Sequence, residues 1–439
     1  MAKKGSFLKG AAIIAAGGFI AKAIGALYRI PLIDLIGGHG VGLYQLVYPV
    51  YCILLTVSAT GIPSSIAKLT AERAERGEST APLFRTAMKL FLCIGGAGSL
   101  LMIAFAPLLA RLQGAREVTA GYCTLAPAVF LVSAISVYRG WFQGKNQMLP
   151  TALSEILEQL VKVGFGLLFA YLFRADIAKA VVFLLLAVSI SELFALALMA
   201  GLYRREKRTD TGKDGDRVAV KTILRMSVPV TFSSMLIPLS GFLDSVLAVR
   251  LLSGYSADAV GLYGLFAGGA VTVINLPVSV CYGIAAASVP AVAAAVAKGA
   301  GVRKRIFFAL GITALVAAPS AAGLYFFAEP LAKIVFRSLS GEELATLVRL
   351  VQAFSLSAFT LSCTQTLSAC LTAQGKPQHA ALSMSIGIIV KTATYCVLLR
   401  NPKISVFGLA YATNLCYLVA FFLDMIYNVI VSKKKGAKK

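Results

Sequence analysis

Charge is what this sequence has least of. Asp, Glu, Lys and Arg make up 14% of its 439 residues, whereas a soluble chain carries about a quarter. That shortage excludes a soluble globular domain. With 58% hydrophobic residues, the chain reads as an all-α polytopic membrane protein. Acid is scarcer still: 19 Asp and Glu stand against 42 Lys and Arg, a net charge of +23. In a soluble protein that excess would suggest nucleic acid. Here the bases cluster at segment ends and tails, which fits membrane topology and anionic lipid headgroups, so no nucleic-acid partner is expected. Histidine is nearly absent; His39 and His379 sit on separate loops and make no catalytic pair. There is no HExxH, no GxSxG and no segment outside the apolar runs large enough for an enzyme domain. We therefore expect no enzyme, cofactor or metal. The eight cysteines (52, 93, 123, 281, 363, 370, 396 and 416) lie in or beside apolar segments, without CxxC spacing or a nearby His. They read as buried, unpaired thiols.

What is present is long apolar runs. A span needs about 20 residues to cross the hydrocarbon, and on that measure about twelve are expected: 8–36, 42–68, 84–110, 120–142, 149–173, 178–203, 223–250, 258–290, 306–328, 344–372, 379–399 and 404–431. The start resembles a signal peptide, but the apolar run continues to Ile36, so an uncleaved first span is expected. If Lys3, Lys4 and Lys9 are cytoplasmic, the even-numbered loops should be basic. They are, through Arg73, Arg76 and Arg85, Lys145, the run from Arg204 to Lys221, Lys298 with Arg303 to Arg305, and Lys376. The KKKGAKK tail follows the same rule. A multi-pass protein of a bacterial plasma membrane with both termini inside is expected.

The polar stretch 206–221 reads as a basic cytoplasmic linker between six-span bundles at 1–205 and 222–432, with 433–439 as a basic tail. The halves echo one another. Gln143-Gly144-Lys145 recurs as Gln374-Gly375-Lys376, 231 residues on, and Lys162 recurs as Lys391, 229 on. Gly42-Leu43-Tyr44 and Gly61-Ile62 recur at offsets of 219 and 222. This is a parallel repeat with small insertions, and transporters place substrate near the midplane at a repeat interface.

Charges inside spans therefore matter most. Each costs about 2.5–3.5 kcal/mol at the bilayer centre even on a lenient scale, so such groups should be paired or line a wet cavity. Candidate substrate-binding residues are Lys22, Arg29, Arg139, Lys162, Arg250 and Lys391. Lysine and arginine suit an anionic, phosphate-bearing cargo. Glu155, Glu158 and Asp244 are candidates for ion coupling or charge balance. Glu158 and Lys162 also have the favourable i, i+4 order for local pairing, and Glu155 could pair across the hairpin. Arg29, Arg139 and Arg250 near segment ends have headgroup contact as the plain alternative. Asp424, near the inner end of the last span, reads as interfacial. Gly37-Gly38-His39-Gly40-Val41-Gly42 looks like a phosphate loop but lacks the strand-to-helix setting, so a tight turn is expected. Gly95, Gly96 and Gly98 suggest close helix packing, and Pro229 and Pro238 should let the seventh span bend.

GFIAKAIGALYRIPL at 18–32, GVGLYQLVYPVY at 40–51 and RGWFQGKNQMLPTALSEILEQLVKV at 139–163 resemble the stage V sporulation protein B group of polysaccharide transporters. That group belongs to the multidrug/oligosaccharidyl-lipid/polysaccharide (MOP) exporter superfamily, with the lipid II flippase MurJ and the MATE drug exporters. The resemblance implies two pseudo-symmetric six-helix bundles in a V around a central cavity. It also implies a lipid-linked saccharide pyrophosphate as cargo, flipped from inner to outer leaflet by alternating access. Two departures stand out: flippases of this group usually carry an additional pair of spans, and MurJ-like proteins place arginine on the second helix, where this chain has no base before Lys68. H⁺ or Na⁺ coupling, contact with anionic lipids and a monomer are expected. The alternatives are a cation-coupled MATE-type multidrug exporter, a membrane-embedded glycosyltransferase, and a transport-inactive scaffold.

Overall fold

In hydrocarbon no water is available to satisfy a backbone N–H or C=O, so a chain this apolar must close its hydrogen bonds within helices. The computed structural model describes residues 2–206, 220–298 and 301–436, and among them there is no strand. Most of the linker expected at 206–221 lies outside the described residues. The helices are α1 (Ala2–Leu55), α2 (Ile62–Glu75), α3 (Ala81–Leu112), α4 (Thr119–Gly144), α5 (Leu149–Leu172) and α6 (Ile177–Glu206), then α7 (Val220–Ser234), α8 (Leu236–Leu252), α9 (Ala259–Gly264), α10 (Val271–Lys298) and α11 (Val302–Phe326). After them come α12 (Ala328–Val335), α13 (Gly341–Phe354), α14 (Leu356–Ala373), α15 (Pro377–Leu398) and α16 (Phe407–Gly436). Two π-helical stretches, Thr56–Thr60 and Leu265–Ala270, interrupt the regular turns.

Among the described residues, eight helices are long and apolar enough to cross a membrane, and nine if α13 and α14, bent by 42°, form one span. The single stretch Ala16–Glu75 covers 60 residues, at about 1.5 Å per residue enough for two crossings of a 30 Å core. α5 falls short only because Glu155, Glu158 and Lys162 interrupt its apolar run. The expected seventh span is broken between α7 and α8, with Pro238 in the first turn of α8. Proline lacks the N–H an interior turn needs, so a new helix starts there. With these counted, the structure is consistent with twelve spans.

Packing divides the chain into two units: unit 1 is Met1–Tyr28 with Leu43–Ser245, and unit 2 is Arg29–Gly42 with Val246–Lys439. The middle of α1, Arg29–Gly42, thus belongs to unit 2 and the chain then returns to unit 1. The expected six-span bundles 1–205 and 222–432 remain a proposal.

In unit 1, α4 is the central helix, packed on α2, α3 and α6. Its Gly140 and Gly144 are the reason α2 can approach so closely. A Cβ on Gly140 would stand 2.9 Å from Pro63 Cα, and one on Gly144 would stand 2.6 Å from the Ala67 carbonyl. Gly95 of α3 is likewise pressed on Ser133 of α4, as its sequence context suggests. Gln113 explains why the start of α8 stays with unit 1: it is fully buried and donates to both the Leu46 carbonyl (2.7 Å) and Ser245 Oγ (2.8 Å).

In unit 2 the central helix is α14, packed on α10, α11 and α16. Its buried face is Ser357, Thr360, Ser362, Thr364 and Thr366 with Cys363 and Cys370. Small hydroxyl residues let helices approach and bond where lipid supplies no hydrophobic drive. None of the eight cysteines forms a disulfide, and the expectation of burial holds for Cys281, Cys363, Cys370 and Cys416. Cys93, Cys123 and Cys396 are exposed on apolar helix faces, which in a bilayer carries no hydrophobic penalty.

The Gly37–Gly42 stretch is not a tight turn. Only Gly37 leaves helical geometry (φ 68°, ψ 179°), and helix resumes at once to Leu55. His39 is therefore helical, and its Nδ1 lies 2.8 Å from Asp258 Oδ1. That contact, with the Gly261 N–H, holds the Asp258 carboxyl below the usual carboxylate range. A depressed carboxyl stabilises the fold above its unfolded value of about 3.9 and loses that contribution as pH falls through the folded value. The pair is exposed, so we expect under about 1 kcal/mol. Unfolding midpoints of wild type and Asp258→Asn should differ slightly at neutral pH and converge on acidification.

Candidate functional site

The two helical hairpins α4–α5 and α14–α15 end and restart in the same way. Each turn has one left-handed residue, Asn146 (φ 59°) and Gly375 (φ 74°). In each, the N–H one residue later reaches back five, Gln147 to the Phe142 carbonyl and Lys376 to the Leu371 carbonyl, both at 2.9 Å. This is the Schellman closure of a helix end. It sets the register between the hairpins at 229 residues. The repeated Gln-Gly-Lys triplets, 231 apart, are therefore not equivalent in space, whereas Lys162 and Lys391 occupy the same step of their helices.

Around Lys162, unit 1 builds a buried ionic cluster. Arg139 of α4 donates from Nε to Ser154 Oγ (3.0 Å) and from Nη2 to Glu158 Oε2 (3.1 Å), both on α5. The two charged side chains are 15% and 18% exposed. Glu158 thus pairs across the hairpin with Arg139 and not with Lys162 one turn along its own helix. Gln159 adds a 3.1 Å bond to the other oxygen of Glu158. A residue that sequence reasoning passed over completes the group: Glu192, midway along α6 and 3% exposed. Its Oε1 accepts from Tyr51 (3.3 Å), while Oε2 has no hydrogen-bond partner. Arg139, Lys162 and Glu158 act on it electrostatically. As an acid isolated in an apolar helix it was detectable in the sequence by the same rule that picked out Lys391.

Helix α1 lies along this cluster through glycines. A Cβ on Gly17 would clash with Ala152 Cβ at 2.6 Å, and one on Gly18 would come within 3.8 Å of Glu155 Oε2. The side chain of Lys22 lies outside the described residues. Asp244 is half-buried on α8, in the part belonging to unit 1. Unit 1 therefore brings together Arg139, Glu155, Glu158 and Glu192 by hydrogen bonds and electrostatics, with Lys162 acting on Glu192. That makes two bases and three acids.

Unit 2 holds Lys391, Arg29 and Arg250. Lys391 of α15 is 5% exposed, its Nζ 5.6 Å from the Tyr395 ring centre. The Tyr395 hydroxyl shares a 2.9 Å hydrogen bond with Thr413 of α16. An aromatic face supports an ammonium only partly. Arg29 is half-buried and donates to Thr272 Oγ1 at 3.4 Å. Arg250 ends α8 and is exposed. Asp424 is fully buried on α16.

Comparison with known proteins places this arrangement. The sequence pattern of the polysaccharide biosynthesis protein family matches residues 7–296. The chain is 29% identical to Stage V sporulation protein B of Bacillus subtilis, over 94% of this chain and 81% of that one. It is 22% identical to the Lipid II flippase MurJ of the same organism, over 97% and 82%. Among solved structures, an inward-facing multidrug resistance MATE transporter of the MOP superfamily superposes with a TM-score of 0.80 at 16% identity, covering 94% of this chain and 95% of that one. A Lipid II flippase MurJ in an inward closed conformation superposes at 0.71 and 14% identity, over 97% and 90%. The fold is that of MOP-superfamily transporters.

Proposed function

The chain belongs to the polysaccharide biosynthesis protein family, and on that footing we propose that it is a flippase. It would carry a lipid-linked saccharide pyrophosphate from the inner to the outer leaflet by alternating access, with its termini in the cytoplasm of a bacterial cell. The observation that carries this reading is Lys391: a base almost wholly buried deep in a membrane helix, in register with Lys162 of the other repeat. Such a group is costly in hydrocarbon and marks a substrate or ion path.

The charges divide the work. Lys391, Arg29 and Arg250 in unit 2, with Lys22 and Lys162, would attract the pyrophosphate. Arg139 has its guanidinium engaged by Ser154 and Glu158, so its proposed role is to hold the hairpin and balance charge. The acid excess in unit 1 suits ion coupling: Glu192, with one oxygen unpaired, would take up H⁺ or Na⁺ together with Glu155, Glu158 or Asp244. With the inside negative, the membrane potential is worth about 2.3 kcal/mol per charge per 100 mV. It favours outward movement of an anion and inward return of an emptied cationic site.

The test is transfer of a labelled polyprenyl-pyrophosphate saccharide between leaflets of proteoliposomes. Lys391→Gln is expected to cut the rate about tenfold or more, since losing one charge-assisted contact costs about 1.5–3 kcal/mol. Lys162→Gln should have the smaller effect because carboxylates surround it. Full transport by both variants would remove the cationic-site reading. Efflux of cationic dyes without saccharide transfer would favour the drug-exporter reading instead.

A further inference from the structure

The fixed register of 229 residues between the hairpins permits a residue-by-residue comparison of their interiors. Arg139 of α4 corresponds to Ser368 of α14, and Ser154 of α5 to Ser383 of α15. In each unit the following long helix supplies a buried acid, Glu192 from α6 and Asp424 from α16, which are 3% and 0% exposed. The plan is therefore the same twice, with one difference. Unit 1 sets an arginine among its acids. Unit 2 keeps the acid and puts a serine where the arginine would be.

The surroundings of Asp424 are polar but neutral. Ser368 Oγ donates to Asp424 Oδ2, and the Ser383 hydroxyl is also within hydrogen-bonding reach. Asp424 Oδ1 is buried with no hydrogen-bond partner. One turn on, Asn428 donates to the Asp424 and Leu367 carbonyls and accepts a 2.8 Å bond from Gln374. Gln374 caps α14 in the hairpin turn itself. A chain of amides thus links that turn to the main-chain carbonyls of Leu367 and Asp424. The helices packed on α16 are α15, α14, α13 and α11. Their charged and titratable groups are His379, Lys391, Tyr395 and Cys396 on α15, Cys363 and Cys370 on α14, Glu342, Glu343 and Arg349 on α13, and Arg303, Lys304, Arg305 and Tyr325 on α11; among its described side chains α16 itself adds Tyr411, Cys416, Tyr417 and Tyr427. His379 lies nearest the turn, its ring edge-on to Tyr427 and its carbonyl accepting from Ser383. Among the described residues no ion pair reaches Asp424.

A carboxylate buried with one hydroxyl donor pays a desolvation cost that a single neutral hydrogen bond does not offset. The arginine equivalent that would neutralise it is absent, and one of its oxygens is open. We propose that Asp424 is a binding site for a single exchangeable monovalent cation, H⁺ or Na⁺, which takes the place that Arg139 fills permanently in the other half. The site stands apart from the unit 1 acids invoked for coupling, and its occupancy does not depend on the cargo.

Binding is testable without transport, on the purified full-length protein in detergent. The probes are protons and NaCl, with choline chloride as the ionic-strength control, and the readout is the unfolding midpoint. Wild type is expected to shift between about pH 5 and 8, or to shift with NaCl at fixed pH, and Asp424→Asn to lose that response. Asparagine keeps the shape and mimics the neutralised acid. A pH response alone identifies the proton; a response to Na⁺ and not to choline identifies the metal ion. An unchanged response in Asp424→Asn, or none in wild type, overturns the proposal. Should the variant fail to accumulate, carbodiimide labelling of wild type decides, because the reagent attacks protonated carboxyls in apolar settings. Labelling of the Asp424 peptide that falls several-fold with rising pH or added Na⁺ supports the site. Absence of labelling under every condition sinks it.

Discussion

Replacing Arg139 with alanine is expected to destabilise unit 1 by about 3–5 kcal/mol, the cost of leaving a buried ionic partner uncompensated. The guanidinium is the one group that joins α4 to α5 through both a hydroxyl and a carboxylate. It also offsets Glu155 and Glu192, which lie in its field. Removing it leaves three acids facing Lys162 alone. The loss should be largely restored by Glu158→Gln in the same chain, since the double change deletes both members of the pair and keeps a hydrogen-bonding amide. A double-mutant cycle on unfolding midpoints measures this. A single-variant loss under about 1 kcal/mol, the range of exposed pairs, would show that the cluster is wet and the pair weak. Arg139→Lys should rescue only in part, because a point charge cannot reach Ser154 and Glu158 with two divergent donors.

Gly264→Leu is expected to prevent unit 2 from folding, or to cost more than the roughly 1–3 kcal/mol typical of overpacking. A Cβ at 264 would stand 2.6 Å from the Gly42 nitrogen and 2.8 Å from its Cα. Those are backbone atoms, so no rotamer change relieves the clash. Gly38 of α1 and Gly261 of α9 flank the same crossing. This crossing seats the middle of α1 within unit 2, where Asp34 also accepts from Ser338 N–H and Oγ, each at 3.0 Å. Monodisperse, folded protein recovered from Gly264→Leu at wild-type yield would show that this segment is not fixed there. Gly301→Ala is the contrast: nothing lies within 4 Å of its Cβ, and only its left-handed φ of 73° makes alanine unfavourable, by about 1 kcal/mol.

Much of the hairpin architecture was legible before any coordinates. The Lys162 and Lys391 spacing already carried the true register, because helix ends with one left-handed residue are short and stereotyped. The Gln-Gly-Lys echo misled by two residues, since such triplets recur wherever a turn needs polar and small side chains. The glycine stretch 37–42 misled for a related reason. Glycine clusters mark turns in soluble proteins, but between membrane helices they equally mark close contact, and only the partner backbone at 261–264 shows which applies.

Hydropathy and the positive-residue pattern by themselves determined that this is a multi-pass all-helical protein with charges placed where hydrocarbon penalises them. These are local properties, read within one turn or one span. Tertiary structure decided which charge meets which. It paired Glu158 with Arg139, buried Asp424 among hydroxyls, added Glu192 to the cluster and assigned the middle of α1 to unit 2. The physical reason is that a membrane helix is apolar on its lipid face and its buried face alike, so its sequence does not reveal its orientation. Orientation is set by close approach and by polar partners on helices far away in the chain.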